Sequence, residues 1–177
     1  MTRAFTAFAF SPAVKSAQAR YGMREHGARL ERKEPANDRL PPDLLHFIAG
    51  TDSFFIATAS RDGWPYMQHR GGPPGFLKTL DDRTLAFADY GGNRQLITVG
   101  NLSENDRVML FIIDYERGRR LKIWGRAGVI DDPALVERLS DPDYPAEVER
   151  AIRVEMLAFD LNCRQHFPKL VRASADL

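Results

Sequence analysis

The sequence predicts a mainly β (α+β) fold, an antiparallel β-barrel, closed or partly closed, with peripheral helices. Three observations predict it. From Ser53 onward the apolar residues fall in short runs rich in aromatic and β-branched side chains, too short for typical helices. Turn signals such as Asp62-Gly63 and Glu116-Arg117-Gly118-Arg119 separate those runs. Helical spacing is confined to the ends of the chain and to one crossover segment. About six antiparallel strands joined by short turns gain from closing on themselves, because closure removes exposed sheet edges.

Taken in order, Ser11-Pro12 followed by Ala13, Val14, Ala17 and Tyr21 predicts a helix with Ser11 as N-cap and proline at its first position, ended or kinked at Gly22. Residues 24–39 carry many charges and few large apolar groups, and read as an exposed arm with little core of its own. The chain thus divides into an N-terminal helix and arm (1–40), a barrel domain (41–169) and a C-terminal tail (170–177). Pro41-Pro42 opens a short helix over 43–49, with Gly50 as its stop. Residues 54–59 form a compact apolar strand, Asp62-Gly63 a hairpin turn and 65–70 the return strand. Gly71-Gly72-Pro73-Pro74-Gly75 is irregular. Residues 76–80 and 84–88 pair across Asp81-Asp82-Arg83. Tyr90-Gly91-Gly92-Asn93 turns the chain into a helix over 94–102. Residues 107–113 are strongly apolar, and 121–130 alternate as on a half-buried antiparallel strand. Asp132-Pro133 starts a helix to Leu139, 145–150 reads as another, and 152–161 is the last strand.

Composition excludes several classes. The chain has 177 residues, 44% hydrophobic and 28% charged, the balance of an ordinary globular protein with one sizeable core. Lys plus Arg is 25 against 24 for Asp plus Glu, so the basic excess that nucleic-acid binding needs is missing. No apolar run approaches the ~18–20 residues of a membrane span, and the N-terminus lacks the order of a secretory signal. With one cysteine, Cys163, no internal disulfide can form. The expectation is a cytoplasmic protein that binds neither nucleic acid nor membrane. Gly-x-Ser-x-Gly, Walker-type and Gly-x-Gly-x-x-Gly patterns are absent, which argues against common hydrolases, P-loop enzymes and Rossmann dinucleotide binders.

The informative stretch runs from His69 to Arg107. It holds His69-Arg70-Gly71-Gly72-Pro73-Pro74-Gly75-Phe76, then Ala88-Asp89-Tyr90-Gly91-Gly92-Asn93-Arg94-Gln95, then Gly100-Asn101-Leu102-Ser103-Glu104-Asn105-Asp106-Arg107. Over 52–167 this resembles the FMN-binding split-barrel family related to pyridoxamine 5'-phosphate oxidase. The resemblance is closest to the branch with an Arg-Gly-Gly-Pro-Pro-Gly-Phe loop and an Asp-x-x-Gly-Asn-Arg turn. It implies an antiparallel split β-barrel, FMN as cofactor and a homodimer with the flavin between subunits. The carry-over falls on Arg70, Asn93, Arg94 and Gln95 first. The chemistry is compatible: a phosphate dianion calls for guanidinium donors and free backbone N–H groups, which Arg70, Arg94 and a helix start at Asn93–Gln95 could supply. Glycines such as Gly71 let backbone approach a ligand. His69, Gln68, Asp89 and Tyr90 are candidates near the ring or ribityl chain. The bland readings stand beside these: Arg70 and Arg94 as surface arginines, the Gly-Pro loop as a rigid turn, His69 as a strand-end histidine, Asn101 and Asn105 as helix-end caps, and Trp124 as core or interface.

Asn162-Cys163-Arg164-Gln165-His166 is a second segment. Its counterpart in the related branch implies that Cys163 and Gln165 cap the flavin site, against the alternative of a small buried thiol among surface polars. No second cysteine completes a zinc site, so no metal is expected. No catalytic acid or base can be named. The C-terminus lacks the arginine- and tryptophan-containing segment with which the true oxidases read substrate phosphate, so the resemblance speaks for the cofactor more than for vitamin B6 oxidation. The expected function is an FMN-dependent oxidoreductase meeting a small-molecule substrate or electron donor. The alternatives are a non-catalytic flavin-binding or redox-buffering protein, and a split-barrel binder of haem or deazaflavin.

Overall fold

The computed structural model describes residues 3–33, 36–161, 167, 168 and 170. Seven strands occur among them: β1 (Ser53–Ala59), β2 (Pro65–Gly71), β3 (Lys78–Thr79), β4 (Thr84–Tyr90), β5 (Arg107–Asp114), β6 (Arg119–Ile130) and β7 (Val148–Leu161). They form one sheet in the order β2-β1-β5-β6-β7-β4-β3, every neighbouring pair antiparallel. The period-2 alternation of β1 and β5 buries every second side chain. Those side chains, including Phe54, Ile56, Leu110 and Ile112, share one core with Leu121, Ile123, Phe87 and Ile152. Phe54 of β1 meets Phe87 of β4 edge-on at 5.1 Å, so strands far apart in the sheet order face each other across the interior. Each fully buried aliphatic or aromatic side chain contributes about 1.5–3 kcal/mol, which makes this interior the main source of stability.

The terminal strands β2 and β3 do not pair with each other, so the barrel is split there. The crossover helix α5 (Ile97–Glu104) lies against the split. Thr98 Oγ1 donates to Gln68 Oε1 at 2.9 Å, and Asn101 Nδ2 donates to Thr58 Oγ1 at 2.9 Å. Asn101 therefore braces the helix on β1 rather than capping it, whereas Asn105 is the C-cap and accepts from Arg107 N–H. Helix α4 (Pro42–Ala49) adds Leu44 and Ile48 to the core, with Gly50 at its C-cap as the sequence predicts. Helix α6 (Pro133–Leu139), capped by Asp132, packs on the other face of β4, where Ala86, Ala88 and Ala151 let Leu139 approach.

The N-terminus departs from the sequence reading. Helix α2 (Pro12–Arg20) forms as expected, with Ser11 Oγ accepting from Val14 N–H and Gly22 at φ +71°. Two further helices flank it, α1 (Ala4–Ala9) and α3 (Arg24–Glu31), so 24–39 is not a bare arm. Phe5 stacks on Trp124 with centroids 5.9 Å apart, and Phe159 N–H donates to Asn37 O at 2.9 Å. These contacts fix the segment on the outer side of β6 and β7, and Trp124 packs inside this layer. A second correction concerns 145–150. No helix forms there, because β7 starts at Val148 and pairs with the end of β4. Two register shifts interrupt β7. One leaves Leu157 unpaired opposite Trp124/Gly125, where a Cβ on Gly125 would sit 2.5 Å from Glu155 O. The other leaves Glu149 unpaired opposite Asp89/Tyr90. No helix among the described residues is long and apolar enough to cross a membrane.

Candidate functional site

The split between β2 and β4 opens into a small cleft of about 110 Å³. Its walls come from β2 (Tyr66, Gln68, Arg70), the end of β4 (Asp89, Tyr90), the turn from Gly92 to Leu96, the start of α5 and β7 (Glu149, Arg150). Strand parity explains the β2 wall: residues 66, 68 and 70 share one face, and 65, 67 and 69 the other. Seven of the residues singled out in the sequence therefore meet here, Gln68, Arg70, Asp89, Tyr90, Asn93, Arg94 and Gln95. His69 does not line the cleft. It lies on the outer face, edge-on to Phe55 at 5.5 Å. Gly71 pairs with Ser53 at the end of β2 and is not among the lining residues. Cys163 and Gln165 lie outside the described residues.

Asp89 organises the charges. It is buried, opposite Arg150 in the β4–β7 ladder, and its two oxygens accept from two arginines. Arg70 Nη1 donates to Oδ1, and Arg150 Nη1 donates to Oδ2 at 2.7 Å. Arg150 Nη2 also donates to Glu149 Oε2 at 2.7 Å. The Arg70 guanidinium lies 5.9 Å from the Phe87 ring centroid, a cation–π contact. Asp89 is thus engaged with protein cations rather than turned toward a ribityl chain. Two buried polar atoms at the cleft, Arg70 Nε and the Tyr90 hydroxyl, have no hydrogen-bond partner among the described residues. Burial, with Tyr144 and Asp141 nearby, raises the Tyr90 pKa above 10.0, so its hydroxyl stays protonated and available as a donor.

The turn differs from its sequence reading. The helix begins at Ile97, so Arg94 precedes it. Arg94 and Leu96 both adopt left-handed backbone, at φ +58° and +54°. Asn93 Oδ1 accepts from Gln95 N–H at 3.1 Å, and Asn93 Nδ2 donates to Gln95 Oε1 at 3.3 Å. Non-glycine residues in this region cost of order 1–3 kcal/mol each, and such strain collects at ligand sites. The Gly-Pro loop acts as a rigid turn: Gly75 N–H donates to Thr51 O, Gly72 N–H to Asp52 O, and Phe76 is buried.

Sequence reasoning missed Arg150, Glu149, Tyr66 and Thr98. Arg150 carries the strongest signal of the four, yet only its register opposite Asp89 exposes it. A larger hollow, about 640 Å³, lies between α4, the start of β1 and the β5–β6 turn. Its arginines are committed internally: Arg119 pairs with Asp43 at 3.4 Å and stacks over Phe47, and Arg117 pairs with Asp114 at 3.0 Å. Arginines in both hollows pair with carboxylates, but of the two only the small cleft also carries buried donors with no partner among the described residues, Arg70 Nε and the Tyr90 hydroxyl, which makes it the better candidate for an anion. No group of His, Cys, Asp and Glu able to hold a metal occurs among the described residues.

Comparison with solved structures gives the same architecture. HupZ of Group A Streptococcus superposes with a TM-score of 0.57 at 14% identity, over 75% of this chain and 100% of that one. An FMN-binding protein from Syntrophomonas wolfei does so with a TM-score of 0.51 at 13% identity, over 90% and 99%. A Clostridium acetobutylicum protein related to general stress protein 26, of the pyridoxinephosphate oxidase family, gives 0.50 at 14%, over 68% and 85%. At these identities the likeness concerns the fold, an antiparallel split barrel. No curated protein matches the chain. Residues 40–158, spanning α4 to most of β7 and every described lining residue of the cleft, match the family described as pyridoxamine 5'-phosphate oxidase, and the chain belongs to that family.

Proposed function

We infer that this chain binds FMN, with the flavin phosphate in the cleft between β2, β4 and α5, and that it works as a homodimeric flavin-dependent oxidoreductase on a small molecule. The observation that carries the reading is the donor set: Arg70, Arg94 and Arg150 converge with the Asn93–Gln95 turn on one cleft. The orphaned Arg70 Nε and Tyr90 hydroxyl fit the same reading, since a bound ligand would satisfy donors that the protein leaves unpaired. The residues present fit the phosphate end of the cofactor. Arg70 and Arg94 hold its charge, and Asn93, Gln95 and Gln68 offer hydrogen bonds to the polar chain. A bound flavin supplies reversible acceptance of electrons from a donor. The chain's own part is to bind, orient and shield.

The size of the cleft supports the dimer. Ligand pockets run to about 300 Å³ and above, so 110 Å³ accommodates part of a flavin and leaves the ring to a second surface. The outer face of β1, β2 and β5 suits such a partner. Cross-strand rows there read Met67-Ala57-Met109 and His69-Phe55-Phe111, and Met67 is 60% exposed. Along β5, Met109, Phe111 and Ile113 face outward, whereas Val108, Leu110 and Ile112 belong to the core. A cytoplasmic setting is the accompanying expectation.

Light scattering on the purified chain should give a dimer that Met109→Glu dissociates; a wild-type monomer at micromolar concentration removes the two-subunit site. Anaerobic titration of the FMN-loaded protein with NADH, NADPH and other donors should bleach the flavin absorbance. A flavin that no donor reduces leaves a binding protein without turnover.

A further inference from the structure

Arg150 and Glu149 are neighbours on β7, and in a regular strand they would face opposite sides of the sheet. Both line the cleft. The cause is the register shift at Glu149, which sets two residues of β7 against one interval of β4 and turns both side chains to the site. Bulges of this kind re-aim side chains beside binding sites. Asp89, opposite Arg150, then completes the arrangement. One carboxylate grips Arg70 from the β2 side of the split and Arg150 from the β7 side. The Arg150 side chain is 20% exposed and that of Arg70 14%, so both guanidiniums reach the cleft from largely desolvated positions.

We propose that Arg150 is a further phosphate-binding arginine, acting beside Arg70 and Arg94, and that Asp89 is the positioning residue that presents the Arg70 and Arg150 guanidinium forks to a phosphomonoester. This rests on the flavin reading and narrows it: the pair makes the cleft select phosphorylated flavin over riboflavin. A guanidinium offers five N–H donors in a rigid plane that matches a phosphate edge. Arg150 commits Nη1 and Nη2 to Asp89 and Glu149 through one bond each, which fixes the plane without exhausting the donors. Net charge and positioning make opposite predictions for Asp89. By charge alone its carboxylate repels a phosphate, and its removal should tighten binding. By positioning, its removal frees two long side chains that must then be ordered when the ligand arrives, and binding weakens.

The test compares FMN and riboflavin affinities, by quenching of flavin fluorescence, for wild type, Arg150→Gln, Arg150→Lys and Asp89→Asn. Arg150→Gln should weaken FMN by about tenfold or more, as for loss of a charged hydrogen bond, and leave riboflavin nearly unchanged. Arg150→Lys, which keeps charge and loses the fork, should recover only part of the loss. Asp89→Asn should also weaken FMN although it makes the cleft more positive. Equal losses for both flavins, no loss in Arg150→Gln, or tighter FMN binding by Asp89→Asn overturns the proposal. Circular dichroism checks each fold, and if Asp89→Asn does not fold the two Arg150 variants decide. If wild type binds no FMN, the flavin reading fails by itself. Thermal stabilisation by inorganic phosphate then decides here: stabilisation of wild type that Arg150→Gln loses upholds the arginine pair, and none in wild type overturns it.

Discussion

Replacing Asp89 with asparagine removes one charge from the point where three strands are tied together, and the structure sets the expected cost. The Asp89 side chain is 6% exposed, and its partners Arg70 and Arg150 are largely buried. A charge pair about 4 Å apart interacts by ~4 kcal/mol at the effective dielectric of a protein near its surface. Removing one partner of a buried pair costs about 3–5 kcal/mol, because the remaining charge is left desolvated. Asparagine can still accept from one arginine, but its NH₂ group then opposes the other, donor against donor. Both arginines retain some water, which brings the expected loss to roughly 3 kcal/mol. Asp106 is the internal control. It also binds an arginine, Arg126 Nη1, through both oxygens at 2.8 Å, but the two side chains are 47% and 53% exposed. An exposed pair of that kind contributes about 0–1 kcal/mol. Urea denaturation of the ligand-free protein should therefore show Asp89→Asn unfolding roughly 1–2 M earlier than wild type, with Asp106→Asn nearly coincident with wild type. Equal midpoints for the two variants would refute the claim that Asp89 is a buried structural keystone.

Three other outcomes follow from local geometry. Burial raises the Asp160 pKa above 3.8 against the pull of Lys122 and Arg3, so its ionised form is a penalty at neutral pH that is relieved as pH falls through the raised value toward 3.8; Asp160→Asn should stabilise at pH 7, with the advantage gone below pH 3.8 in pH-dependent urea melts. Gly75 sits at φ +80° with its absent Cβ 2.8 Å from Ala49 O, so Gly75→Ala should cost about 1–2 kcal/mol from backbone conformation alone, read as a lowered thermal midpoint. Phe5→Ala should cost about 3 kcal/mol, the low end for an aromatic truncation, and shift Trp124 emission to the red over the steady signal of exposed Trp64.

Legibility in the sequence followed the range of the interaction. The β1–β2 hairpin, the Ser11 and Asp132 caps and the Gly50 stop were all readable, because each depends on residues within one turn of one another. The helices α1 and α3 were not. Helix α1 is only six residues long and has no side-chain cap, so its stability comes from Phe5 docking on Trp124, far along the chain. The start of β7 looks helical in the local sequence for a similar reason: Val148 to Ala151 are held extended by β4 and bulged at Glu149, neither of which local propensity encodes. At the site, Arg70 and the Asn93–Gln95 turn announced themselves through motif. Strand parity separates His69 from the cleft, since 66, 68 and 70 form one face of β2 and 69 the other. Arg150 could not be found, because its partner Asp89 is 61 residues away and the bulge that turns it to the cleft is visible only in the register.

The most direct measurement is the absorbance spectrum of the protein as purified and again after incubation with FMN and gel filtration, followed by mass analysis of the released chromophore. Paired near-ultraviolet and blue bands that travel with the protein, with the mass of FMN, are what an arginine-lined cleft at the barrel split requires. A protein that stays colourless through both steps, or that carries a Soret band in their place, would contradict it.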